Sequence, residues 1–186
     1  MLRATVRSFV RGSHRSLSFQ AEKFHFVDFR SLRETSEIQA ALDAVGSNLS
    51  AAHIGAAFAQ SQKLLPRPSS TFIAALAQKA LSHRDVLDVK AATIVFNSCA
   101  ELAFFDHSLL DGVAQVITEQ LYLIDGRAAA KVIYALGRLH RAWTSHHGPP
   151  RRPVFPQMQS LLQLLSQRLE FHLASGYLLK CDGGLV

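Results

Sequence analysis

The sequence predicts an all-α protein: a short α-solenoid of about three helical hairpins with a 37–38-residue period, preceded by half a repeat. Three observations predict it. The segments "LSAAHIGAAFAQSQKL" from Leu49, "LDVKAATIVFNSCAEL" from Leu87 and "IDGRAAAKVIYALGRL" from Ile124 align in one frame. That frame matches Phe58 with Phe96 and Ile133, and Leu64 with Leu102 and Leu139. It also sets Ser50, Asp88 and Asp125 just before each apolar run, where a side-chain oxygen satisfies free backbone N–H groups at a helix start. Finally, no alternating strand pattern is longer than "FHFVDF", 24–29.

The elements follow in order. "SEIQAALDAVG", 36–46, is the second helix of a preceding half-repeat, with Gly46 as its C-terminal stop. The first hairpin breaks at Pro66 and Pro68, and helix 71–82 follows with Phe72, Ile73, Leu76 and Leu81 on one side. The second breaks at Asp106 before helix 107–122, which carries Leu110, Val113, Ile117 and Leu121. The third break is long, "TSHHGPPRRPVF", 144–155. Pro156 then opens a helix carrying Leu161, Leu162, Leu164, Leu165 and Leu169. The helical-repeat domain is thus 36–174, with loop 144–155 inserted in its last hairpin. Residues 175–186, with Gly183 and Gly184, form a C-terminal tail. Residues 18–35 form an extended arm, in which "FHFVDF" is either that arm or an apolar lead-in covering the end of the repeats.

Composition narrows the function. The 186 residues suffice for one domain with a real core, and no run reaches the roughly 18–20 apolar residues that span a bilayer. The formal charge of +6 is concentrated at the start, where residues 1–17 hold Arg3, Arg7, Arg11 and Arg15 and no acid. Their four-residue spacing beside Leu2, Val6, Phe9 and Val10, with Ser8, Ser13 and Ser16, is the composition of a mitochondrial transit peptide, cut after Leu17. The alternative is a basic arm that stays attached and binds RNA or lipid.

The rest of the chain is polarised. Residues 85–125 contain seven acids and one base, Lys90, whereas 126–169 contain seven bases and no acid. In "GRAAAKVIYALGRLHRAW", 126–143, Arg127, Lys131, Arg138 and Arg141 fall within about 40° of one line on a helix. Val132, Ile133, Leu136, Leu139 and Trp143 lie opposite. A solvated helix ordinarily mixes signs, so an unmixed cationic stripe points to an anionic neighbour. Arg151 and Arg152 follow in the loop and Arg168 in the last helix. Arginine's planar fork suits phosphate. These seven residues are the candidate RNA-binding set. With Tyr134 taken as standing off the stripe, the expected mode is backbone and shape recognition rather than base stacking. The acidic repeat would face solvent or a protein neighbour.

No catalytic group emerges. His140, His146, His147 and Cys181 match no metal-ligand spacing, and Gly183-Gly184 is not a phosphate loop. Cys99 and Cys181 make no disulfide framework, and Cys99 is expected in the core. The expectation is a protein without enzymatic activity, cofactor or small-molecule substrate.

The period, the paired helices, the Ala-rich first helices and the basic leader together resemble the organellar helical-repeat families: FAST-kinase-like and RAP-associated repeats, octotricopeptide repeats and heptatricopeptide repeats. "VFNSCAELAFFDHSLLDGVAQVITEQL", 95–121, and "VIYALGRL", 132–139, carry the resemblance, which covers about 36–140. It implies organellar RNA binding, or a place as a ribosome subunit or assembly factor. With only about three repeats, the chain is too short for base-by-base reading, which favours a fixed structural role. The expected function is a non-catalytic component of a mitochondrial matrix ribonucleoprotein, a mitochondrial ribosome subunit contacting ribosomal RNA phosphates and neighbouring proteins. The alternative is a protein–protein scaffold or accessory subunit of a respiratory or ATP synthase complex.

Overall fold

A computed structural model describes residues 28–148 and 156–174. The expectations placed on 1–27, on 149–155 and on 175–186, including Arg151, Arg152 and Cys181, lie outside the described residues. Among those described, the protein is all-helical, with seven α-helices and no strand: α1 Thr35–Val45, α2 Ala51–Ser61, α3 Ser70–Ser82, α4 Val89–Leu102, α5 His107–Glu119, α6 Gly126–His147 and α7 Pro156–Ala174.

The repeat found in the sequence reappears as a repeat of burial. Ser50, Asp88 and Asp125 are the N-caps of α2, α4 and α6. Their side chains accept from the backbone N–H groups of His53, Ala91 and Ala128. Four residues after each cap, Ile54, Ala92 and Ala129 are buried; seven after, Ala57, Val95 and Val132; eleven after, Ser61, Cys99 and Leu136. A spacing of four, seven and eleven is one stripe of a 3.6-residue helix. The alternate helices share a stripe of their own. Counted from Glu34, Ser69 and Asp106, positions four, eight and eleven are Ile38, Leu42 and Val45 in α1, Ile73, Ala77 and Ala80 in α3, and Leu110, Ala114 and Ile117 in α5. All nine are buried.

The connections repeat as well. After α1, α3 and α5 the chain makes a three-residue 3-10 turn: Gly46–Asn48, Arg84–Val86 and Leu121–Leu123. It then buries one apolar residue, Leu49, Leu87 or Ile124, and enters the next cap. By contrast, the link from α4 to α5 is four residues, half the length of those from α2 to α3 and from α6 to α7. The constant unit is therefore the short turn from second helix to next first helix. Gly46 ends α1 as expected, with φ of 56° that disfavours a side chain. Ala103, with φ of 52°, takes the left-handed α conformation after α4, letting the chain reach Asp106 in a short turn.

Packing follows these stripes. α2 lies against α4 and α4 against α6, while α3 lies against α5 and α5 against α7; α4 also meets α5, and α6 meets α7. Small residues let α2 and α4 approach closely, since a Cβ at Gly55 would stand 3.4 Å from the Ala91 Cα. Cross-links recur near one repeat apart. Lys79 pairs with Asp43 across 36 residues and Arg138 with Glu101 across 37. The Gln120 amide bonds both Leu87 O and the Val89 N–H, tying the end of α5 to the start of α4. Phe29, in a 3-10 turn over Phe29–Ser31, is buried against α2.

The third break starts later than expected. The sequence reading ends α6 at Trp143, but the helix continues through Thr144, Ser145, His146 and His147 to Gly148. An aromatic cluster accounts for the extra turn. Trp143 packs edge-on against Phe105 and His107 from the α4–α5 region, and His147 stacks on the indole at 4.0 Å. The expectation that Cys99 is in the core holds. Its thiol is pushed up to about 12, by burial first and then by the Asp106 carboxylate. Thiolate is the reactive form, so in a Cys181→Ser background Cys99 should not react with a thiol reagent at pH 8 until the protein unfolds. Labelling at the rate of a free thiol under native conditions would contradict its placement.

Candidate nucleic-acid interface

The cationic stripe is on α6, whose buried side faces α4 and α7 through Ala129, Val132, Ala135, Leu136 and Leu139. The helix is continuous from Gly126 to His147, so the spacing of the basic residues translates directly into one face. Arg127, Lys131 and Arg141 are exposed and make no ion pair among the described residues. Arg138 is different. It is half-buried, and its guanidinium donates to Glu101 of α4. The acid missing from "GRAAAKVIYALGRLHRAW" is thus supplied by the neighbouring first helix, at the same distance from its own cap. That relation was legible in the repeat: Glu101 and Arg138 share one register.

Arg168 serves a different purpose. Its guanidinium donates to Tyr122 O at 3.1 Å and to Ile124 O at 3.5 Å, while lying 5.5 Å over the Phe171 ring. His172 also faces Ile124 O, at 3.3 Å. The two side chains dock α7 on the third 3-10 turn, so Arg168 belongs to the packing and not to the stripe. The structure therefore brings together Arg127, Lys131, Arg138 and Arg141, and sets Arg168 apart; Arg151 and Arg152 are outside the described residues.

Register adds residues that the sequence reading left out. Lys90 stands two residues after the Asp88 cap, as Arg127 does after Asp125, and both are exposed. Because α4 and α6 are neighbours, Lys90 extends the basic face sideways by one helix, roughly 8–10 Å. Tyr134 stands about 20° around the helix from Arg127, inside the stripe and not off it, and it is 61% exposed. Helical arithmetic alone sufficed to find it.

The acidic repeat is less free than its composition suggests. Asp88, Asp106 and Asp125 are spent as N-caps and Glu101 pairs with Arg138. Asp85 and Glu119 line a shallow groove of about 470 Å³ between the ends of α3 and α5, together with Arg84 and Gln120.

Among the described residues no three His, Cys, Asp or Glu side chains converge as metal ligands, and no helix is long and apolar enough to cross a membrane. No family model, curated protein or solved structure matches the chain.

Proposed function

We propose that the seven helices form a short α-solenoid, and that the outer face of its first helices binds the phosphate backbone of a structured RNA. The repeated burial stripes and 3-10 turns support the solenoid reading. One observation carries the RNA reading: Arg127, Lys131 and Arg141 stand exposed along one side of α6 with no ion pair among the described residues, and Glu101 beside that face is taken up by Arg138. A solvated face gains from mixed charge, whereas a phosphate-binding face gains from excluding it.

The place of action is the mitochondrial matrix, on the strength of residues 1–17, and the role is that of a non-catalytic ribonucleoprotein component, specifically a subunit of the mitochondrial ribosome. Exposed Tyr122, Leu123, Phe171 and Leu173 around the last turn and α7 support a protein neighbour within that particle.

The test has two arms. Residues 1–17 fused to a reporter should direct it to mitochondria; a cytosolic reporter would remove the location. In a mitochondrial lysate the protein should sediment with a large particle and leave it after RNase treatment. Co-migration with inner-membrane complexes, unaffected by RNase, would replace this reading with a scaffold or accessory subunit whose basic face meets acidic protein or lipid.

A further inference from the structure

Tyr134 on α6 is largely exposed, and its surroundings are asymmetric. On one flank stand Lys131, three residues before it, and Arg138, four after it. Arg127 and Arg141 lie seven residues away in either direction, about 10 Å along the helix axis. The other flank is bordered by Ala130 and Gly137, the positions four before and three after. Both are exposed, and a Cβ built on Gly137 would meet nothing within 4 Å. The ring is thus edged by cations on one side and by open space on the other. Folding does not account for this choice. Tyrosine and glycine are both weak helix formers, and neither packs into the core here.

We propose that Tyr134 is a stacking platform for one unpaired RNA base, with Arg127, Lys131 and Arg141 holding the phosphates on either side of that nucleotide. The inference rests on the RNA reading above and deepens it. It changes the ligand from any structured RNA to one that presents an unpaired nucleotide, such as a loop, a bulge or an end. A base inside a duplex is stacked on both faces and cannot reach the ring, whereas a splayed base can lie on it. Aromatic stacking needs only a base's π-face, so the contact selects single-strandedness and not a particular sequence. A strand following α6 would meet the ring midway between two guanidinium groups, which is how cationic grooves and aromatic platforms cooperate on single strands.

The experiment compares two probes on the full chain: a fluorescent oligouridylate and a blunt RNA duplex of equal length. Tyr134→Ala should weaken oligouridylate binding by about 5- to 150-fold and leave duplex binding unchanged. Tyr134→Phe, which keeps the ring, should bind both probes like the parent, and Tyr134→Leu, apolar but without a π-face, should resemble Tyr134→Ala. Ultraviolet crosslinking to 4-thiouridine RNA should map to Tyr134. The charge variant Arg127→Ala/Lys131→Ala/Arg141→Ala should weaken both probes. If it does so while Tyr134→Ala alters neither, the platform is overturned and the RNA reading stands. If the charge variant alters neither probe, the RNA reading itself fails. Equal loss on both probes from Tyr134→Ala also overturns the platform. So does full recovery by Tyr134→Leu, which points to an apolar protein contact instead.

Discussion

Phe96→Ala is expected to destabilise the protein by about 3–5 kcal/mol, the usual loss for an aromatic side chain removed from a closed core. Phe96 is fully buried in α4, and α4 is the helix that meets α2, α5 and α6. Domains of this size are stable by only about 5–15 kcal/mol, so the variant stands near its unfolding limit. Position sharpens the effect. A cavity at α4 loosens its contacts with α2, α5 and α6 together. A urea melt followed by circular dichroism should show a lower midpoint and a broader transition. Ile133 is in the same register of α6 but half-buried, so Ile133→Ala should have a clearly smaller effect. The same contrast separates Leu139, which is buried, from half-buried Leu102. Unchanged melting of Phe96→Ala would mean that Phe96 does not sit in a closed core.

The charge variants carry the second large effect. Three free cations on phosphate give a log–log salt slope of about −2.1 to −2.7, so a fourfold rise in salt should weaken RNA binding by about 20- to 40-fold. Arg127→Ala/Lys131→Ala/Arg141→Ala should abolish most of that slope while each change alters stability by about half a kcal/mol or less. Glu101→Gln should do the opposite. It removes the acid that occupies Arg138, adds almost one unit to the slope and tightens binding. Arg168→Ala should leave the slope alone and lower stability by about 1 kcal/mol, because its fork holds backbone carbonyls. Fluorescence titrations at several salt concentrations read the slope of all three variants. A slope unmoved by the triple variant would leave the α6 stripe as a solvated surface.

The features legible in the sequence are those set within a turn or two of helix. A cap oxygen meets a backbone N–H three residues on, so Ser50, Asp88 and Asp125 marked three helix starts without help from the fold. Apolar spacing likewise marked most of the buried sides of α3, α5 and α6, and Leu161 and Leu165 of α7, though Leu162 is exposed; the basic spacing marked one face of α6. Tyr134 was within reach of the same arithmetic. What the sequence left open depends on which helices stand beside each other. Arg138 is neutralised by a residue 37 positions away, and Arg168 is drawn to carbonyls more than 40 positions away. Trp143 lengthens α6 because Phe105 and His107 are waiting across the α4–α5 turn. A side chain's hydrogen-bonding partner is fixed by proximity in space. Only the packing of α6 against α4 and α7 decided that Arg138 and Arg168 are engaged while Arg127 and Arg141 stand exposed.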